Sequence, residues 1–131
     1  MTITYEWRGD VDNSALNELH AEGFDHPVGQ TDWWARLQRH SLGWVCAWEG
    51  DRLVGFVNVA WDGGVHAFVL DTVVAQRCRS NGVGSALIRA AAEGCRAAGC
   101  EWLHADFEEH LRTFYFDVCG FRETAAGLIA L

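Results

Sequence analysis

The stretch Val73-Val74-Ala75-Gln76-Arg77-Cys78-Arg79-Ser80-Asn81-Gly82-Val83-Gly84-Ser85 carries the densest chemistry in the sequence. An apolar strand runs through a polar, glycine-bearing turn into the start of a helix. Such a junction is an anion site. The first N–H groups of a helix have no partner within it, the helix dipole favours negative charge there, and glycine lets a ligand come close to the backbone. Arg79 and Arg77 can add charge-assisted hydrogen bonds. Two phosphate loops are excluded by the letters. A dinucleotide fingerprint needs a third glycine where Leu87 stands, and a P-loop needs Lys-Ser/Thr after its second glycine. Gly82 and Gly84 then either wrap an anion or simply permit a turn and close helix packing.

The other reactive side chains point to fewer schemes. The six histidines form no H-E-x-x-H, and His104 and His110 share no regular element, so no metal site is expected. Cys46, Cys78, Cys95, Cys100 and Cys119 are odd in number and contain no C-x-x-C pair. Neither a disulfide framework nor a zinc ribbon fits, and reduced thiols in the cytoplasm are expected. Cys78 and Cys119 lack an adjacent base, which disfavours a covalent acyl-cysteine. In Trp102-Leu103-His104-Ala105-Asp106 a strand puts His104 and Asp106 on one face, where they could share a proton path. A hydrogen-bonded histidine in a half-buried strand is the alternative for His104.

Elements that would hold these residues can be read from periodicity. Ile3, Tyr5 and Trp7 alternate as in a half-buried strand. Asp12 to Glu22 has helical spacing through Leu16, Leu19 and His20, and Thr31 is expected to cap a second helix through Trp33, Trp34, Leu37 and Ser41. Gly43–Glu49 and Leu53–Trp61 form a hairpin about Gly50-Asp51, and Asp62-Gly63-Gly64 turns into a third apolar run, Val65–Val74. Short turns imply an antiparallel meander. Val83–Ala98 is the clearest helix, stopped by Gly99. A strand Glu101–Asp106, a helix from Glu109 to Val118 and a final apolar strand Leu128–Leu131 complete the order. This predicts a single α/β (α+β) domain over residues 1–131, a mixed central sheet flanked by helices.

Composition narrows the partners. Of 131 residues, 18 are acidic and 10 basic, a formal charge of -8 that repels a phosphate backbone and argues against nucleic acid. The acidity suits a cationic ligand or serves solubility alone. No apolar run reaches membrane-spanning length, and Met1-Thr2-Ile3-Thr4-Tyr5-Glu6 does not read as a secretory signal, so no membrane partner is expected.

Arg79-Ser80-Asn81-Gly82-Val83-Gly84 resembles the R/Q-x-x-G-x-G/A signature of the GCN5-related N-acetyltransferases. Phe114-Tyr115 followed by Gly120-Phe121 is similar to that family's F/L-Y-x-x-x-x-G-F segment, and the element order agrees over essentially the whole chain. The resemblance implies that Ser80, Asn81, Gly82, Val83, Gly84 and Ser85 wrap the pyrophosphate of acetyl-CoA, with Arg79 anchoring the turn. It also implies that the backbone of Thr72, Val73 and Val74 pairs with the pantetheine arm like an added strand, and that Tyr115 protonates the departing thiolate. The sequence departs from the pattern where the family often has Pro (Gln76), Gly (Ser80) and Asn (near Glu108).

The implied reaction is acetyl transfer to an amine-bearing acceptor. An alkyl ammonium, with a pKa of about 10.4, must lose a proton before it attacks, and a thiol leaving group of pKa about 8.5 needs only a positioned donor. His104 is the first candidate base, because its strand corresponds to the family's fifth; Asp106 and Asp71 follow. Acceptor recognition is expected from the N-terminal helices, their loop and the hairpin turn. Those regions carry His26, Trp33, Trp34, Trp61 and Asp62, aromatic and acidic groups that can hold a cation. One of Trp33 and Trp34 is expected to face the acceptor. A non-catalytic acyl-CoA-binding module of the same fold is the alternative, and the apolar stretch Ala126–Leu131 suggests a homodimer.

Overall fold

The computed structural model describes residues 2–131. Strand β1 (Thr4–Trp7) leads to helices α1 (Asn13–Phe24) and α2 (Trp33–His40). The meander β2 (Ser41–Glu49), β3 (Arg52–Trp61) and β4 (His66–Val74) follows, then a short 3-10 turn (Gln76–Cys78), α3 (Val83–Ala97) and β5 (Trp102–His104). The sheet runs β1-β2-β3-β4-β5, antiparallel throughout except for β4 and β5. The parallel pair is what α3 makes possible, since only a crossover helix can return the chain in the same direction.

Helices cover both faces of the sheet. Phe56 meets the Trp33 ring of α2 edge-on at 5.9 Å, while a Cβ on the adjacent Gly55 would meet Leu87 and Val83 of α3. Side chains alternate across a strand, so α2 and α3 lie on opposite sides of β3. This explains why β2 and β3 are buried over six consecutive residues each rather than on alternate ones. Leu16, Leu37, Val45, Val57 and Leu87 are fully buried in the resulting core.

Both N-terminal helices begin on aspartates. Asp12 accepts from Ala15 N at 3.1 Å and Asp32 from Ala35 N at 3.0 Å. The expected cap Thr31 is displaced by one residue because its own N–H and C=O are taken by the side chain of Asn17.

Two C-terminal expectations are corrected. The helix expected over 109–118 is a 3-10 turn (Glu109–Leu111) followed by a π-helical turn (Thr113–Val118), closed by Cys119 N donating to Phe114 O at 2.9 Å. The widened turn packs the Tyr115 ring parallel to Phe107 at 4.4 Å and edge-on to Phe114 and Phe121. The final strand over 128–131 does not form: nothing pairs with that segment, and Leu128, Ile129 and Leu131 are exposed. β5 is also shorter than expected. Its pairing with β4 covers only His66↔Trp102, Ala67↔Leu103 and Phe68↔His104, after which the two strands separate.

Candidate active site

The separation of β4 from β5 opens a cleft of about 1220 Å³. Val69 to Val74 form one wall, the loop to α3 a second, and Asp106, Phe107, Leu111, Phe114 and Tyr115 a third. That volume exceeds what one drug-sized ligand usually occupies.

At one end lies the start of α3. Its N-cap, Gly82, has φ +78° and supplies no side-chain cap, so the first amides of the helix face the cleft unpaired. A Cβ at Gly82 would meet nothing within 4 Å. Here glycine supplies the left-handed backbone and leaves open the space a ligand needs. Gly84 answers a packing demand instead, since a Cβ there would come 3.1 Å from the Phe114 ring. Arg79 lines the same end, and its Nε donates to Val74 O at 3.3 Å, tying the turn back to the strand. Ser80 stands at φ +67°, where a side chain is strained.

The sequence-derived anion residues are therefore largely gathered in one place. Thr72, Val73, Val74, Arg79, Ser80, Gly82, Val83, Gly84 and Ser85 all line the cleft; Asn81 is exposed and does not. Arg77 is also absent from the lining, because Glu49 accepts from its Nη1 at 2.7 Å. Gln76 donates its N–H to Glu22 Oε2 of α1 at 2.7 Å. Proline cannot make that bond.

Tyr115 is buried, lines the cleft, and has its pKa raised chiefly by that burial. The nearby Thr72 hydroxyl draws it partly back without completing a hydrogen bond, and Thr72 Oγ1 is itself a buried polar atom without a partner. The chain thus presents unpaired amides, an open backbone edge on β4, an orphaned hydroxyl and a cationic side chain along one cleft. Those features fit a long ligand with an anionic group at one end and amides along its length.

Other expected site residues lie elsewhere. Asp106 lines the cleft, but His104 does not. Regular pairing carries His104 to the face where His66 sits, with Nε2 2.9 Å from His66 Nδ1 and the ring stacked on Phe68 at 4.7 Å. The expected pairing of His104 with Asp106 in one site is corrected accordingly. None of His26, Trp33, Trp34, Trp61 and Asp62 lines the cleft either. Trp33 is buried, with its indole N–H donated to Asn17 Oδ1 at 3.2 Å. Trp34 packs edge-on against Trp44 at 6.0 Å, and the Asp62 carboxylate caps its own turn at Gly64 N. Trp33 is thereby corrected as an acceptor contact, since its ring is buried in packing, whereas Trp34 keeps part of its ring exposed, outside this cleft.

Asp71 and Asp106, both candidate bases in the sequence, line the cleft with Glu108 and with Asp25, which sequence reasoning missed. Asp71 has a signal in the sequence, an acid interrupting the apolar run of β4. It occupies a bulge, where Phe56 pairs with Val73 but Asn58 pairs with Leu70, and its φ is +57°. Burial raises the Cys119 thiol pKa, which disfavours the thiolate a nucleophile needs. Among the described residues no group of three or more His, Cys, Asp or Glu could hold a metal ion, and no helix is long and apolar enough to cross a membrane.

The model of the acetyltransferase (GNAT) family matches residues 10–121, which contain every wall of this cleft named above. The chain belongs to the GNAT family. Solved structures share its fold. An acetyltransferase from Trypanosoma brucei superposes with a TM-score of 0.82 at 21% identity, covering 98% of this chain and 99% of that one. A GNAT family protein from Streptococcus pneumoniae gives a TM-score of 0.78 at 24% identity, covering 99% and 98%. AAC(6')-Iy, in complex with the bisubstrate analog CoA-S-monomethyl-acetylneamine, gives 0.76 at 16% identity, covering 100% and 98%. No curated protein matches by sequence.

Proposed function

We propose that this GNAT protein transfers the acetyl group of acetyl-CoA directly to a primary amine of a small molecule or peptide, an amine that is cationic in its resting form. The observation that carries the reading is the division of one cleft into two chemistries. Unpaired amides, Arg79 and the open space at Gly82 mark one end, while Asp25, Asp71, Asp106 and Glu108 line the rest. An anion suits the first set and a cation the second. AAC(6')-Iy, a neighbour in fold, binds an analog that joins CoA to an acetylneamine, in keeping with two ligands in one continuous cleft.

Each residue then has a task. The amides of Val83 to Ser85 and the Arg79 guanidinium hold the pyrophosphate, and Ser80 and Asn81 shape the turn around it. The backbone of Thr72, Val73 and Val74 pairs with the amide-bearing arm, which takes the place β5 leaves vacant. Acetyl-CoA supplies an activated thioester carbonyl. As the amine nitrogen bonds to that carbonyl and the carbon–sulfur bond breaks, the Tyr115 hydroxyl gives its proton to the departing sulfur and is reprotonated by the hydrogen that the nitrogen sheds in becoming an amide. Burial disfavours the ionised phenolate, so the hydroxyl is present as a proton donor at neutral pH.

The test is a screen of polyamines, aminoglycosides, amino acids and peptides for CoA release, preceded by thermal midpoints with acetyl-CoA and with NAD as a control. Stabilisation by acetyl-CoA with CoA release for a cationic amine is the expected result. Stabilisation without release for any amine would instead make the chain an acyl-CoA-binding module. No stabilisation would overturn both.

A further inference from the structure

One network at the cleft has no part in the scheme so far. His20 of α1 places Nε2 3.0 Å from Asp71 Oδ1 and Nδ1 2.6 Å from His26 Nε2, and His26 Nδ1 lies 2.7 Å from the carbonyl of Pro27. Asp71 lines the cleft, His20 is partly buried behind it, and His26 is exposed. The row therefore leads from the acidic part of the cleft to solvent.

Several features hold it in place. The bulge of β4 turns Asp71 out of the regular alternation, with its backbone left-handed. α1 sits tightly on β4 at Gly23, where a Cβ would fall 2.0 Å from Val73 Cγ2, and Glu22 ties the same turn to Gln76 N. Buried Asn17 holds the loop after His26 through Thr31 N, Thr31 O and the Trp33 indole. His20 is faced by Asp71 and His26, with the rings of Phe24 and Trp33 at 4.5 and 5.2 Å; Asp25 and Asp106 line the cleft with Asp71.

The hydrogens available to the row set its capacity. Pro27 O can only accept, so His26 Nδ1 carries a hydrogen, and a neutral His26 then offers a bare Nε2 to His20. His20 Nδ1 must fill that gap, which leaves the neutral His20 with a bare Nε2 facing an ionised Asp71. Three gaps are served by two hydrogens. One further proton satisfies every bond and leaves a single imidazolium against a carboxylate.

We propose that Asp71, His20 and His26 form a proton relay that takes the proton from the acceptor ammonium and passes it to water. The proposal rests on the acetyl-transfer reading of the same cleft. The N–H bond of the ammonium breaks with its electron pair kept on nitrogen, and the proton passes to the Asp71 carboxylate and on to His20 Nε2. The Nδ1 proton of His20 moves to His26 Nε2, exposed His26 breaks its Nδ1 bond to Pro27 O and releases that proton to water, and both rings regain their starting tautomers by proton exchange with solvent before the next turnover. Charge and protons balance, and no co-reactant beyond water is needed. Asp71 touches the acceptor; His20 and His26 act through it.

The experiment follows CoA release by the full chain across pH 5.5 to 9.5 for wild type, Asp71→Asn, His20→Gln and His26→Gln, with acetyl-CoA affinity measured separately. Asn tolerates a left-handed backbone about as well as Asp, so the bulge survives the first substitution. Expected for Asp71→Asn and His20→Gln is a loss of about 100-fold in kcat/KM at neutral pH. That loss should shrink as pH approaches the pKa of the amine, which then deprotonates unaided, with acetyl-CoA affinity unchanged; His26→Gln should show a smaller loss of the same form. Unchanged kcat/KM in His20→Gln, or a loss constant across pH, overturns the relay while acetyl transfer stands. A wild type that releases no CoA with any amine overturns acetyl transfer itself, and the relay with it.

Discussion

Replacing Gly82 with alanine separates the two duties of that position, because the methyl group meets no protein atom within 4 Å. The folding cost is then purely conformational: an L side chain in the left-handed region loses about 1–2 kcal/mol relative to glycine. For a domain of this size the unliganded midpoint should fall by about 4–7 °C. The binding cost is separate. Acetyl-CoA at about 100 times its dissociation constant adds about 2.7 kcal/mol to wild type. If the methyl occupies the pyrophosphate's approach and weakens binding tenfold, the same concentration adds about 1.4 kcal/mol. The assay is a thermal melt with and without acetyl-CoA, with Ser80→Gly as a control. Ser80, at φ +67°, bears the opposite strain, so glycine there should raise the unliganded midpoint and keep the full ligand increment. A Gly82→Ala protein that melts lower but keeps the wild-type increment would refute the assignment of this turn to the cofactor.

Other substitutions probe the remaining walls. Tyr115→Phe should lower kcat at least tenfold with acetyl-CoA affinity retained, as stopped-flow turnover and calorimetry would show. Because burial raises the Tyr115 pKa, its neutral form supports the fold up to about pH 10 and that support is lost as pH rises further; melts between pH 9 and 11 should fall more steeply for wild type than for Tyr115→Phe. Gln76→Pro removes the N–H that Glu22 accepts and should cost about 1–3 kcal/mol, a loss that Glu22→Gln only partly reproduces, read by urea titration. Gly23→Ala forces α1 away from Val73, and about 1–3 kcal/mol of stability should be lost together with turnover.

The segments that were legible in the sequence are those where local signals agree. Alternation, a two-residue turn at Gly50-Asp51 and a long amphipathic repeat after Gly82 specify the meander and α3 without tertiary help. The residues at the α3 end of the cleft stand out for the same reason, since they are consecutive in the chain. The acidic end was legible only in part, through Asp71 and Asp106 as candidate bases, because it joins α1, the bulge of β4 and the chain after β5, which only folding brings together. Asp71 stood out as an acid in an apolar run, yet nothing local pairs it with His20, whose place on the apolar stripe of α1 reads as packing. Trp33 failed in the opposite sense. An aromatic on a helix looks the same in sequence whether it meets a ligand or, as here, a buried asparagine and Phe56. The π-helical turn was hidden because it depends on Tyr115 stacking against Phe107, eight residues away in sequence.

Only three residue pairs attach β5 to the sheet, so the mechanical unity of the molecule is uneven. Local opening draws on the least-bonded elements, and a strand held so briefly separates at far lower free energy than the meander beside it. A ligand laid along the free edge of β4 would act as a keel between the two halves, slowing amide exchange in β5 and in the turns that carry Tyr115. The lifetime of the C-terminal quarter in a protease-containing cell would then follow the supply of that ligand.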